Sequence, residues 1–527
     1  MGSTIFHGAD YWQNLEITSS DLQRLTSHLF EKEEPLTLDA MVEVLIEQRL
    51  EDLKAENAKH LDELGQVYLP QNTYALGSKV LFPGSNWESG TVVAERPGKN
   101  PDLGEFTVTT IKFENSERDY ATGLEGHPLS LSEYQSKSAE VLDPAEIKAS
   151  FGNEIRSKLR SALTSQKELV RIGHTWFPKS LLIKIGKGEL NLAEAILDGL
   201  NGGPIAIQEL LDQLEIVSEG DNKKLAEFSL NYALQEDPRF DEVGTAGKFS
   251  WFLERLEPVS VRETPIYLRL PADPKPTDEI SEETQKIFEA LDDEYAFNEE
   301  AFQDDKRLES TKVTLNFPHW RAGSLPITPA TYQVFPSALE TNHVKLSFLD
   351  EQSAERISAW VVRKGRYVIG LRDWYEAQNL IPGSIIEISK TNEPDVLTIR
   401  AEKKRSSKEW IKTVLIGADG GLVFALLRQP IYAGFNDRMA IAIPDVAGLD
   451  AIWSNRENKM PSFKSDVTRM MSELSKLNNQ RHVHFIDLYA ALNVIRRTPP
   501  QDLLHILSTS AEFTHVGDFY FHLSENA

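Results

Sequence analysis

The stretch Asp237–Leu253, "DPRFDEVGTAGKFSWFL", and the stretch Ser510–Leu523, "SAEFTHVGDFYFHL", share one pattern. Each runs Phe, two residues, Val, Gly, a short break and an aromatic-rich segment, so that Phe240, Val243 and Gly244 fall against Phe513, Val516 and Gly517. In the first, Asp237-Pro238 ends the preceding helix, because proline cannot continue a helix and restricts the residue before it. Gly244 and Gly247 permit a turn, and Phe249, Trp251 and Leu253 alternate onto one face of the return strand. Both stretches predict a two-stranded hairpin.

What precedes each hairpin is also alike. Before the first, "GELNLAEAILDGLNGGPIAIQELLDQLEI" predicts helices at Leu190–Leu200 and Ile207–Leu214 around a Gly-Gly-Pro turn, then a third helix ending at Gln235. Before the second, helices are expected at Val467–Leu477, Phe485–Val494 and Pro500–Leu507, with a proline suited to the first turn of the last. Helix, turn, helix, helix and hairpin is the winged-helix order. Arg496 and Arg497 fall in the turn between helices, where positive charge and a helix N-terminus can meet a phosphate. The first module, through "IAIQELLDQL" and its Asp-Pro-Arg-Phe hairpin entry, resembles the winged-helix module of the bacterial RNA polymerase delta subunit and its HARE-type relatives over residues 188–256. That resemblance implies contacts with nucleic acid or polymerase. The delta subunit also carries an acidic tail, and an acidic segment follows the module in this chain.

Residues 311–410 read as an all-β domain with one helix. His343–Leu349 is a strand, an Asp-Glu turn follows, and Arg356–Arg363 returns with Trp360 and Val362 on one face. Lys364-Gly365 turns into Tyr367–Gly370, "LRDWYEAQ" is a short helix, and Ile385–Ile388 and Val396–Ala401 close the sheet. This order resembles the DNA-binding pseudobarrels of plant auxin-response-factor type and the recognition domains of some restriction enzymes. The resemblance implies reading of DNA by strand arms, placed here after Leu325 and at the Lys364–Arg366 turn. Arg363, Lys364, Arg366 and Arg372 are therefore candidate DNA contacts, since Arg bridges a guanine edge and Lys pairs with phosphate. Lys403, Lys404 and Arg405, in "KKRSSKEW", extend the basic surface.

The remaining segments complete the expected organisation. Residues 1–70 are a helical N-terminal region, with a long helix within 36–66. Residues 71–127 carry strands at Ser78–Phe82, Gly90–Glu95, Gly104–Phe113 and Arg118–Ala121 and resemble a small Tudor- or KOW-like barrel, a type that binds proteins or nucleic acids. Residues 139–256 hold two helices over 139–185 and then the first winged helix. Residues 257–310 are an acidic linker with one helix, Glu282–Leu291; from Asp273 to Glu309 there are 14 acidic residues and 4 basic ones. A sharper reading makes that segment an acidic cover for a basic surface. Residues 411–527 form an α/β region ending in the second winged helix. The expected fold class is multidomain α+β: a small β-barrel, two winged helices and a DNA-binding-pseudobarrel-like β domain.

Bulk properties bound the function. The 527 residues carry a formal charge of -25, which argues against a generic polyanion binder and makes local clustering of cations decisive. The absence of cysteine excludes disulfides, thiolate metal sites and a cysteine nucleophile and fits a reducing cytoplasm. No signal peptide and no apolar run of about 18 residues is seen, so no membrane association is expected. No phosphate loop, nucleophile elbow or zinc-protease motif occurs. His482 and His484 lack further ligands for a metal site. Asp395, Glu402 and Lys404 echo a metal-dependent nuclease pattern at too tight a spacing. No catalytic residue, metal, cofactor or small-molecule substrate is therefore expected. The expected function is DNA binding linked to transcription in bacteria; the alternative is a non-catalytic scaffold docking on RNA polymerase or another complex.

Overall fold

Both hairpins form in the computed structural model, which describes residues 9–82, 88–100, 104–114, 116–124, 143–216, 222–245, 247–271, 281–297, 308–336, 341–417, 421–458 and 460–524. Phe240–Glu242 pairs with Ser250–Leu253, and Phe513–Gly517 pairs with Tyr520–Leu523. A short strand from between the first two helices joins each sheet, Ile205–Ala206 in one and Val483–His484 in the other, so the last strand is central in both. The helices are Lys187–Gly199, Ile207–Gln213 and Lys223–Gln235 in the first module, and Phe463–Ser475, Phe485–Asn493 and Pro500–Thr509 in the second. Phe240 and Phe513 are both 6% exposed. The two glycines are required for different reasons. A Cβ on Gly244 would lie 1.9 Å from the Lys248 carbonyl oxygen, whereas Gly517 has φ +106. The hairpins also differ in use: Val243 is 1% exposed and Val516 is 43% exposed.

The chain divides into two compact units, residues 1–183 with 222–228, and residues 184–221 with 229–527. In the first, the helices Ser19–Lys32, Leu38–Leu64 and Pro144–Thr164 share a core that includes Leu25, Leu29, Met41, Leu45, Ile155 and Leu159. A five-stranded sheet follows in the order Gln66–Val67, Lys79–Phe82, Glu88–Pro97, Thr107–Lys112 and Glu117–Thr122. The expectation of two helices over 139–185 is corrected. Pro144–Thr164 is one helix, and Leu169–Ile172 and Thr175–Pro178 are a hairpin. The turn is at Gly173, with φ 58, and the flanking Val170, Ile172, Trp176 and Phe177 favour strand.

The second unit is built on a nearly closed, barrel-like sheet of seven strands. Their order is Ser310–Thr314, Ile385–Lys390, Val396–Ala401, His343–Asp350, Arg356–Val362, Tyr367–Ile369 and Ser324–Pro326. Three short helices, Phe317–Ala322, Pro329–Val334 and Arg372–Ala377, replace the single one expected. The barrel packs against the first hairpin: Val243 and Phe252 join Trp360, Val362, Tyr367 and Ile369 in one apolar cluster. Phe252 meets Trp360 edge-on at 5.0 Å between centroids.

The expected linker 257–310 is corrected wherever it is described. Leu268, Phe288 and Leu291 are each at most 2% exposed, and the helix runs from Glu282 to Glu289 with Ser281 as its cap. The segment that follows, Leu291–Phe297, is a buried strap. Its acids meet the arginine expected to contact phosphate. The Arg497 guanidinium lies 2.8 Å from Asp293 and 3.0 Å from Glu294, with all three side chains at 0–1% exposure. Tyr489 donates to Asp293, and Gln501 donates to the Tyr295 carbonyl. His319 bridges Glu294 at 3.0 Å and Ser324 at 2.8 Å. Burial alone would raise the Glu294 carboxyl, but Arg497 and His319 hold it below its ordinary value. Arg496 is 8% exposed and pairs with Asp466 at 3.0 Å. Arg496 and Arg497 are thus structural cations, because each is enclosed with carboxylates.

The strap yields two predictions. Replacing Arg497 by Ala leaves Asp293 buried without its counter-charge and Glu294 with His319 alone, which costs about 3–5 kcal/mol; urea denaturation should show that loss, and Arg497→Ala combined with Asp293→Asn and Glu294→Gln should recover part of it. Asp292 behaves oppositely. Burial pushes its carboxyl up to about 6, against hydrogen bonds from Thr314 that lower it. The folded state holds a proton that the unfolded chain has already lost, so ionising Asp292 costs stability as pH rises from about 4 to about 6. Asparagine keeps the acceptor and suits the φ of 49 at this position. Asp292→Asn should stabilise the protein at neutral pH by about 1–2 kcal/mol after solvent screening, and the gain should vanish near pH 4 in the same denaturation series.

Candidate nucleic-acid interface

Two long strands leave the barrel as an antiparallel ribbon, Lys403–Ile416 and Leu422–Ala433. A β-strand sends alternate residues to opposite faces, and residues paired across strands share a face. Near the barrel, one face buries Ile411 and Ile431 against Ala440 and Ala442. Toward the tip the other face is buried, through Val414, Leu422 and Phe424. The exchange follows from what packs on each face, Ala440 and Ala442 on one and the core of the second hairpin module on the other. It leaves one stretch of the second face open to solvent. There Trp410 pairs with Arg428, and Lys408 pairs with Pro430. Trp410 is 66% exposed, Tyr432 49% and Leu426 44%. Lys408, Arg428 and Pro430 are exposed as well.

The ribbon is a local exception to the acidity of the chain. Its strands carry Lys403, Lys404, Arg405, Lys408, Lys412 and Arg428 against Glu409 alone. Not all of these face outward. Lys412 is 8% exposed, and its ammonium donates to Asp487 and to the Arg438 carbonyl. Burial lowers its pKa, while Asp487 acts against that shift. Lys404 is held by Glu409 at 3.2 Å and lies over the Phe435 ring at 4.2 Å. Lys403, Arg405, Lys408 and Arg428 remain exposed.

The expected contacts on the barrel fall into two groups. Lys364 is exposed at the turn between Arg356–Val362 and Tyr367–Ile369, and Arg372 is exposed at the start of its helix, 3.4 Å from Glu376. Arg363 and Arg366 are half-buried. Arg366 donates to the Glu294 carbonyl at 3.1 Å and lies 5.8 Å from the centre of the Tyr295 ring, so the strap engages it. Arg363 lies 6.0 Å from the centre of the Tyr332 ring. The structure therefore brings Arg363, Lys364 and Arg366 to one turn, places Lys403, Lys404 and Arg405 on the ribbon, and removes Arg496 and Arg497 from the surface.

Other sequence echoes resolve without a site. Glu402 pairs with Lys312 at 3.4 Å and Lys404 with Glu409, so the nuclease-like spacing assembles no common centre. His484 caps a helix by accepting from the Ile486 amide at 3.1 Å, and burial, then Arg438, lowers its pKa to about 4. Lys408 and Trp410 lie in the expected basic run KKRSSKEW without having been singled out in it, and Arg428 and Tyr432 were missed. Lys408 and Trp410 lie two apart, which is a strand signal, but Arg428 and Tyr432 join them only through the pairing register. Among the described residues no helix is long and apolar enough to cross a membrane. Comparison of the chain with protein-family models, curated proteins and solved structures finds no match.

Proposed function

We propose that the protein binds DNA through the basic, aromatic face of the ribbon, with the exposed Lys364 turn of the barrel as a second contact. The carrying observation is the exposed Trp410–Arg428 pair beside Lys408 on a ribbon with six basic residues and one acidic residue, in a chain of net charge -25. A two-stranded ribbon fits the major groove, and aromatic faces stack on unpaired bases. Two winged helices and a pseudobarrel are the module identities this reading favours. Its support is the strand order that recurs in both hairpin modules and the seven-stranded, barrel-like sheet between them. A link to transcription rests on the resemblance of the first module alone. The second reading is a docking scaffold. It is favoured by the edge position of Leu422–Ala433, with Val423 43% and Leu427 37% exposed.

The test is fluorescence anisotropy of the full chain with random-sequence duplex and single-stranded DNA over a salt series. The four exposed ribbon cations together with Lys364 predict a slope of log K against log salt of about -4 to -5 on duplex. The double variant Lys408→Ala, Arg428→Ala should reduce the slope by about 2, whereas Trp410→Ala should weaken single-strand binding by about 1–3 kcal/mol at nearly constant slope. Absence of binding at low salt would overturn this function and leave the docking reading.

A further inference from the structure

Where the first hairpin meets the barrel, a second polar cluster is enclosed. Asp241 lies on the hairpin strand Phe240–Glu242, Glu257 follows the turn Glu254–Leu256, and His343 opens the barrel strand His343–Asp350. The His343 Nδ1 atom is 2.7 Å from Asp241 Oδ2 and 3.4 Å from Glu257 Oε2. One ligand-type atom from each of the three lies within 4.8 Å of the other two. Glu257 is 3% exposed, and among the described residues neither of its carboxylate oxygens accepts a hydrogen bond. An ionised carboxylate without donors is unfavourable in a buried site, so it needs either a proton or a cation. In the metal-free site that cation is the His343 imidazolium, because burial lowers its pKa but Asp241 and Glu257 together raise it to about 9, and a metal ion would take the place of its proton. Lys345 does not supply the cation; its ammonium lies over the rings of Phe252 and Trp360, at 4.8 and 5.4 Å from their centroids.

We propose that Asp241, Glu257 and His343 bind a divalent transition-metal ion of the zinc class, which clamps the first hairpin module to the barrel. One imidazole nitrogen and two carboxylate oxygens, close enough to converge and drawn from separate elements, suit such an ion, with water completing the coordination. The site joins two modules that also meet through backbone, where the Lys345 amide donates to the Val243 carbonyl at 3.0 Å.

The groups behind the imidazole supply a specific test. Asn342 Nδ2 lies 2.8 Å from His343 Nε2, and Asn342 Oδ1 accepts from the Lys364 amide at 2.8 Å. With Nδ1 on a metal, Nε2 carries the ring proton and needs an acceptor, which Asn342 offers only by turning its amide. Aspartate at position 342 accepts from both Nε2 and the Lys364 amide without turning, the carboxylate–histidine–metal arrangement that strengthens a ligand.

The experiment titrates the chelator-treated full chain with Zn2+ near neutral pH against a chromophoric competitor. Folding of every variant is checked by near-ultraviolet circular dichroism. The expected result is one tight Zn2+ per chain. Asp241→Asn and Glu257→Gln should each weaken it at least about tenfold, and Asn342→Asp should tighten it by up to about tenfold. Wild-type protein binding Zn2+ no better than Glu257→Gln and Asp241→Asn would overturn the proposal, whereas Asn342→Asp failing to tighten binding would overturn the part given to Asn342. The first result would mean that the His343 imidazolium, without a metal, balances the two carboxylates.

Discussion

The architecture of the second unit depends on the charge of Arg497. A guanidinium with no exposed surface is stable only where carboxylates and hydrogen-bond acceptors surround it. Asp293 and Glu294 meet that demand, and Asn493 and the Thr498 carbonyl accept from the same side chain. The position of the strap follows. Glu294 is fixed from its other side by His319 of the barrel, and its carbonyl holds Arg366. One buried cation therefore ties together the strap, the barrel and the second hairpin module. The remaining Arg497 contacts are less complete: Nη2 lies 3.0 Å from Glu294 but is off the axis of a good hydrogen bond, which makes the pair chiefly Coulombic.

This use of acids changes the meaning of the overall charge. The segment richest in carboxylates has its described core turned inward onto a cation, instead of hanging free as a negative tail. Basic residues split in the same way. Arg456 and Arg496 pair inside with Asp466, and Lys412 pairs with Asp487. The ribbon leaves Lys403, Arg405, Lys408 and Arg428 at the surface. Net charge describes the long-range field of the molecule, while a groove or strand meets the local field, which decays within about 10 Å in ordinary salt.

Much of the local structure was legible because short-range rules decide it. Proline and glycine marked the first hairpin and Gly517 the second, and the strand Val396–Ala401 and the aromatic helix at Arg372–Ala377 formed where the sequence placed them. The hairpin over 169–178 was hidden because its strands have only four residues each and follow a long helix. The sites were less legible. Tyr489 and Asp293 stand 196 residues apart, and His343 and Asp241 stand 102 apart, so no local pattern announces either cluster. Arg496 and Arg497 look like any basic turn until Asp466, Asp293 and Glu294 are brought to them. The Trp410 face needed the register of a strand whose partner lies beyond residues outside the described set.

The separation between the strap and Arg497 also has a consequence for the order of events during synthesis. The Gln501 contact to Tyr295 spans 206 residues, so as the chain emerges from the ribosome the strap is made long before the side chains that enclose it. In that interval Asp293 lacks its counter-charge, and Glu294 has only its barrel partners His319 and Arg366. Burial of the acids waits for the last helices, which makes this contact a late, long-range step set by loop closure rather than by local propensity. All seven strands of the sheet, the last ending at Ala401, are thus synthesised before the cation that balances the strap.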